Sequence, residues 1–458
     1  MCVLRKEGRE GKGQDFAPEQ ILCLGFLALI LIGGVLLALP AAAASGESIG
    51  LGNGLFTATS AICVTGLVVV DTGTTFSLFG QLVLLTLIQV GGLGFMVFAT
   101  LIMLALGRRI TLKDRVLMRE SMNASTLSGL TQVLLWYGAM ALIIEVLGAM
   151  LLSIRMVPLL GWGKGLYYSF WHAVSAFCNA GFDLFGGFSS LTAFQQDPLV
   201  LLTIAALIIL GGMGFAVITE ILSNRFRWRT LSLHARLVMV MTVLLLALGT
   251  VCFALAEWHN PGTLGSIDGA GNKLLNAFFQ SVTMRTAGFN TVDLAAMQDG
   301  SKLVSVLLML TGAAPASTGG GMKITTIAVL GLVVWSAIRG EQEAVVMKKR
   351  IPRGLAQRAL TIVSVTLTVF LGGTLILTTA EGGRVPFEDV LMETASAIAT
   401  VGVSSAGTPG LGTLSRIVLV LMMYLGRVGP MTMALALARK QEGKTSHIRY
   451  PEENLPIG

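Results

Sequence analysis

Long apolar runs of about 20 residues alternate along the chain with shorter segments in which Ser, Thr, Asn and His interrupt the apolar positions. A helix of roughly 20 apolar residues crosses a hydrocarbon core about 30 Å thick, so each long run predicts a membrane span, and about eight fit. The order long, short, long recurs four times. Spans are predicted at 20–40 and 78–106 around a short segment at 50–62 and a turn at 63–76; at 130–154 and 198–222 around 165–178; at 235–257 and 302–338 around 272–284; and at 355–380 and 413–438 around 387–400. The chain thus divides into repeats at 20–107, 128–224, 235–340 and 355–440, between an N-terminal segment 1–19 and a C-terminal tail 441–458.

Each short segment climbs to a glycine: SAICVTG ends at Gly66, SAFCNAG at Gly181, VTMRTAG at Gly288 and SAIATVG at Gly402. These glycines lie 115, 107 and 114 residues apart. Small residues serve close helix packing in membranes, which accounts for a single motif of this kind. Four at matching places are a property of the architecture.

Charge turns this pattern into a topology. Only 12% of the 458 residues are charged, about half the share usual in soluble domains, and the mean hydropathy is +0.78. Arg5, Lys6, Arg9 and Lys12; Arg108, Arg109, Lys113, Arg115 and Arg119; Arg225, Arg227, Arg229 and Arg236; Arg339, Lys348, Lys349, Arg350, Arg353 and Arg358; and Arg439, Lys440, Lys444 and Arg449 hold 23 of the 32 basic residues. These clusters lie before, between and after the repeats, so the positive-inside rule places both ends of every repeat, and both termini, in the cytoplasm. The net charge of +7 therefore reflects topology rather than nucleic-acid binding.

The short segments, at 12 to 14 residues, fall below spanning length, and if they crossed the clusters would alternate sides. They are expected to turn back as re-entrant loops. Non-helical backbone at membrane depth must be buried in protein or line water, and four loops of equal topology achieve this by meeting on one axis along the membrane normal. The predicted fold is an all-α polytopic membrane protein of four tandem helix, pore-loop, helix repeats with pseudo-fourfold symmetry about a central pore. The basic start, the apolar run 21–39 and Ala41–Ser45 also resemble a signal peptide, but the run exceeds an h-region and is read as the first span.

The loop tips are Cys63, Val64, Thr65, Gly66; Cys178, Asn179, Ala180, Gly181; Arg285, Thr286, Ala287, Gly288; and Ala399, Thr400, Val401, Gly402. Their side chains share nothing, so a common ligand has to be the backbone. Glycine allows positive φ and close approach, and rings of carbonyl oxygens replace an ion's hydration shell in potassium-selective filters. Arg285 would repel a cation, and is expected to point behind the filter toward a carboxylate or carbonyls. Of the five cysteines, Cys63 and Cys178 read as small apolar fillers; with Cys2, Cys23 and Cys252 they form no disulfide framework or zinc pattern.

The second spans align as Gly91 Gly92 Leu93 Gly94 Phe95, Gly211 Gly212 Met213 Gly214 Phe215 and Gly426 Arg427 Val428 Gly429 Pro430. Arg427 takes the place of two glycines. A charge at mid-membrane costs about 2.5 to 3.5 kcal/mol and so faces an aqueous cavity or a partner. Facing the cavity it forms a barrier to cations; the alternative is pairing with Glu145 or a carbonyl. The third repeat reads Thr311, Gly312, Ala313, Ala314, Pro315, Ala316, Ser317, Thr318, Gly319, Gly320, Gly321, Met322, Lys323, which is expected to break a helix that continues in the other repeats. That break is a candidate gate below the filter, with a packing kink as the alternative.

Together the four Ser-to-Gly loops, the GAAPASTGGGMK break and the LGRVGP span resemble the Trk/Ktr/HKT superfamily of cation transporters over nearly the whole chain. A single apolar span before the first loop resembles the KtrB-type members. The resemblance implies potassium uptake, with the four loop tips as filter, residues 311–323 and Arg427 as gate, and potassium held by backbone carbonyls. Glycine at position 66 resembles the potassium-selecting members. It also implies a homodimer on a cytosolic octameric ring of nucleotide-binding regulatory subunits of the KtrA type, with nucleotide on that partner only, no bound cofactor, and sodium as a second ion. Ala313, Ala314 and Pro315 depart from the expected Gly/Ser-rich loop. No nucleotide fingerprint follows a strand here, and the basic clusters offer docking surface or face lipid. Alternating-access symport would call for inverted repeats. His172, His234, His259 and His447 are scattered, which argues against an enzyme.

Overall fold

The computed structural model describes residues 18–94, 130–341, 343–347, 349–429 and 432–433. The basic clusters at 5–12, 108–119 and 439–449, together with Phe95, Lys348, Pro430 and the tail 441–458, lie outside the described residues. In chain order the main helices are α1 (Pro18–Ala38), α2 (Leu51–Ile62), α3 (Leu78–Leu93), α4 (Leu130–Leu160), α5 (Trp162–Phe177), α6 (Pro198–Met213), α7 (Phe215–Ser223), α8 (Leu233–Glu257), α9 (Ala270–Thr283), α10 (Asp299–Leu310), α11 (Ile324–Ile338), α12 (Arg353–Glu381), α13 (Phe387–Ile398) and α14 (Thr413–Val428). One two-stranded hairpin pairs Val345–Val346 with Lys349–Arg350.

Length and composition make α1, α4, α8 and α12 membrane spans, over Glu19–Ala38, Gln132–Leu160, Leu233–Glu257 and Gly354–Glu381. Leu31, Val243 and Leu371 on their outer faces are exposed, as residues facing lipid are. The short helices α2, α5, α9 and α13 lie inside, with the last five residues of each buried. Their hydroxyls survive burial because the helix's own carbonyls accept them: Thr57 Oγ1 donates to Asn53 O at 2.8 Å, Ser169 Oγ to Gly165 O at 2.7 Å and Thr394 Oγ1 to Val390 O at 3.0 Å. A Cβ on Gly54 would lie 2.6 Å from Gly34 O, so α1 and α2 meet backbone to backbone.

Carboxylates tie the first spans to the second. Glu257 Oε1 accepts Gln298 N at 3.0 Å ahead of α10, and Glu381 Oε1 accepts Gly412 N at 2.9 Å and Ser415 Oγ at 2.5 Å at the start of α14. In the second repeat Asp197 caps α6 through Leu199 N and pairs with Arg155 of α4 at 2.9 Å. Lys302 of α10 and Asp389 of α13 form an ion pair at 2.7 Å with both side chains buried. Breaking a buried pair leaves a charge uncompensated, so Asp389→Asn is expected to cost about 3 to 5 kcal/mol. The melting temperature of the detergent-solubilised protein checks this, with Lys302→Met/Asp389→Leu expected to recover most of the loss. An Asn variant that melts like the parent would show that the pair contributes little.

The second spans depart from the sequence expectation. Continuous helices are predicted in repeats one, two and four, yet α3 stops at Gly94 (φ 85°, ψ 139°), α6 at Gly214 (φ 87°, ψ 136°) and α14 at Gly429 (φ 91°, ψ 134°). Positive φ with extended ψ is glycine territory and ends a helix. After Gly214 the chain bends by 96° and resumes as α7. That bend is held from outside the repeat, by Phe215 N donating to Ala316 O at 3.0 Å. In the third repeat the break between Leu310 and Ile324 is longer, as its Pro and Gly content predicts.

Candidate functional site

The loop tips of repeats one, two and four leave their short helices by the same hydrogen-bond path, and that of repeat three by a path one residue out of step. Val64 N, Asn179 N, Arg285 N and Thr400 N donate to Ala61 O, Ala176 O, Val282 O and Ala397 O at 3.1 to 3.2 Å. One residue further, Thr65 N, Ala180 N and Val401 N donate to Ser60 O, Ser175 O and Ser396 O at 2.8 Å, and two further, Ala287 N donates to Thr283 O at 3.0 Å. Gly66 N and Gly402 N then donate to Ser60 Oγ and Ser396 Oγ, each at 3.0 Å. Ser175 Oγ instead donates to Phe182 O at 2.7 Å, and Thr283 Oγ1 to Phe289 O at 2.5 Å. The amides are thus turned back into the protein. Among the described residues no donor reaches the carbonyls of residues 63–66, 178–181, 285–288 and 399–402.

Backbone handedness explains where those carbonyls go. Val64, Asn179, Thr286 and Thr400 have φ of 54°, 59°, 71° and 52°, and Gly66, Gly181, Gly288 and Gly402 have φ of 97°, 68°, 88° and 95°, while the residue between each pair does not. Positive φ alternating with negative φ sets successive amides toward one side of the strand and carbonyls toward the other. Three of the four non-glycine positions hold β-branched residues, for which positive φ is an outlier that the surroundings have to enforce.

The strands close into a ring. A Cβ on Gly66 would lie 2.5 Å from Ala180 O, one on Gly181 2.6 Å from Ala287 O, and one on Gly288 2.6 Å from Val401 O. On Gly402 it would collide with Thr65 O, so the fourth strand returns to the first. Each glycine is required by its neighbour's carbonyl. This cyclic order is consistent with the fourfold arrangement expected from the sequence.

Beneath the ring, the second spans and the broken span interlock. Gly91, Gly211 and Gly426 pack where a Cβ would strike Ile62 O, Phe177 O and Ile398 O, at the ends of α2, α5 and α13. Residues 311–323 run across this level: Ala314 N donates to Gly212 O at 2.9 Å, Thr318 N to Gly211 O at 3.2 Å and Gly321 N to Gly426 O at 3.2 Å. Thr318 Oγ1 donates to Phe177 O at 3.1 Å and Lys323 Nζ to Gly319 O at 2.8 Å. Arg427 donates from Nη1 to Thr318 O and from Nη2 to Gly91 O. It therefore spans three repeats through carbonyls.

Glu145, the alternative partner for Arg427, is engaged elsewhere: Gln89 Nε2 donates to both its oxygens at 3.0 and 3.2 Å, and Cys178 Sγ lies 3.9 Å away. Arg285 lines a cavity together with Ile208, Ile209, Thr242, Leu246 and Ala313. The expected acceptor is missing for its Nε, because the wall it meets is largely apolar. At the end where α3 and α6 begin, burial pushes Asp183 up to about 6, with the Asp71 charge adding to the rise. Asp71 itself is held below the usual carboxylate range: burial raises it, but amides of Phe188 and Thr74 and the Thr74 hydroxyl outweigh burial. Among the described residues no group of three or more His, Cys, Asp or Glu could hold a metal.

A family model described as "Cation transport protein" matches residues 25–448. The chain belongs to the TrkH family. Members of this family are transport proteins rather than enzymes. The chain is 41% identical over 443 residues, 97% of either chain, to the Ktr system potassium uptake protein B of Bacillus subtilis. It is 37% identical, over the full length of both, to the potassium/sodium uptake protein NtpJ of Enterococcus hirae. Its fold matches the crystal structure of the potassium transporter TrkH from Vibrio parahaemolyticus with a TM-score of 0.71 at 18% identity, covering 94% of this chain and 86% of that one.

Sequence reasoning missed two parts of this site. The positive-φ residues at 64, 179, 286 and 400 have no shared side chain to reveal them. The serine six residues before Gly66, Gly181 and Gly402 was visible as a motif letter, but its role in holding the strand was not.

Proposed function

We propose that the chain is the membrane subunit of a Ktr-type potassium uptake system, conducting potassium through the four-strand ring. What supports this is that, among the described residues, no donor reaches the carbonyls of the four loop tips, whose backbone alternates in the sign of φ. Buried carbonyls require partners, and a dehydrated monovalent cation supplies one. Residues 311–323 act as the gate, and Arg427 holds it closed while placing positive charge on the path. The protein lies in the bacterial cytoplasmic membrane with both termini inside, forms a homodimer, and is controlled by a cytosolic ring of nucleotide-binding subunits. The names of the B. subtilis and E. hirae relatives support potassium as the ion.

The second reading is a sodium/potassium symporter of weak selectivity, favoured by the name of the E. hirae relative. Growth of a potassium-uptake-deficient bacterium on low potassium, with and without a ring subunit and with and without sodium, tests both. The expected result is rescue that is fullest with the ring. No rescue under any condition, with the protein present in the membrane, would overturn the proposal.

A further inference from the structure

The residue two places before each ring glycine is Val64, Asn179, Thr286 or Thr400, and positive φ turns its side chain away from the path its neighbours take. At two of these places the side chain meets the broken span. A Cβ on Gly320 would lie 3.0 Å from Thr400 Cγ2 and 3.1 Å from its Cβ, and would collide with Oγ1. One on Gly319 would lie 3.2 Å from Thr286 Cβ and would collide with Oγ1. These two glycines therefore keep side chains off the two hydroxyls, at the inner end of the ring.

The hydroxyls have acceptor capacity to spare. Thr400 Oγ1 is fully buried and has no hydrogen-bond partner. The Asn179 amide is satisfied when its nitrogen donates to Ile208 O at 3.2 Å and Ala176 O at 3.1 Å and its oxygen accepts from Thr286 Oγ1 at 3.1 Å. In that orientation the Thr286 proton is used and its lone pairs stay free. A buried hydroxyl without a partner is costly, and neutral hard oxygen ligands suit alkali cations.

We propose that the Thr286 and Thr400 hydroxyls are side-chain ligands of the innermost cation position of the ring, the position that Gly319 and Gly320 cover when the broken span is seated. This rests on the ring being the ion filter. It extends that reading from backbone to side chains and gives repeats three and four a role in ion recognition that Val64 in repeat one cannot share.

Thr400→Val and Thr286→Val keep the β-branch and remove only the hydroxyl. Rubidium uptake by everted or reconstituted vesicles would be measured against concentration, with sodium as competitor. Each Val variant is expected to raise the half-saturating rubidium concentration about fivefold to tenfold with the maximal rate within about twofold, and Thr400→Ser to return it to within about twofold of the parent. Thr400→Ala replaces Thr400→Val in the same measurement if the latter does not reach the membrane. Unchanged half-saturation in the hydroxyl-free variants, or a Ser variant as impaired as the Val variant, overturns the proposal. Gly402→Ser separates the two levels: if it destroys discrimination against sodium while the threonine variants are silent, only the side-chain ligands fail. If it too leaves discrimination intact, the filter reading fails with them.

Discussion

Serine at any one of Gly66, Gly181, Gly288 or Gly402 is expected to abolish selective potassium uptake. Positive φ costs an L side chain about 1 to 2 kcal/mol, a cost the loop could absorb. The larger obstacle is steric, because the new Cβ at Gly66, Gly181 or Gly288 would sit 2.5 to 2.6 Å from a carbonyl of the next strand. That carbonyl has to move, and it is one of the proposed ligands. Uptake of rubidium is expected to fall at least tenfold, with loss of preference over sodium among the residual flux; at about 1.4 kcal/mol per tenfold this is a modest demand on so direct a clash. Flux and preference that both match the parent protein would remove the ring from the conduction path.

Arg427→Ala is expected to have the opposite effect, raising flux severalfold, and deletion within residues 312–320 more so. Arg427 donates to Thr318 O in the broken span and to Gly91 O in the first repeat. Hydrogen bonds from a charged donor contribute about 1.5 to 3 kcal/mol each, enough to hold a segment closed against thermal opening. Alanine removes both bonds and the positive charge together. Deletion removes Gly319 and Gly320 from under Thr286 and Thr400. Tracer uptake into vesicles at matched protein content measures the change. Parental flux in both variants would make Arg427 a packing device between repeats.

What could be read from residues alone follows from the kind of signal each feature leaves. Runs of apolar residues are set by membrane thickness, so the first spans and the short helices are legible to within a few residues, except that α4 runs six residues past 154 to Leu160. The four ring glycines were legible because a steric demand on a glycine cannot be met by another residue. Gly94, Gly214 and Gly429 are demanded by positive φ rather than by a close neighbour at all three, and they sit inside apolar runs that also suit continuous helix, so their helix-ending role left no sequence signal. Val64, Thr286 and Thr400 were not legible as left-handed residues, since β-branched side chains argue against that conformation and only the closed ring imposes it. For Arg427 the sequence offered Glu145 or a carbonyl, and could not foresee that Gln89 already occupies the carboxylate.

The contact of Gly402 with Thr65 O joins the last quarter of the chain to the first. Nearby, Tyr424 Oη donates to Cys23 O at 2.7 Å, so α14 is bonded to α1 as well. A ribosome delivers these partners in order, 337 residues apart for Gly402 and Thr65 and 401 for Tyr424 and Cys23. Until residues 399–402 emerge, three strands stand as an open arc, without the closed ring on which the proposed function rests.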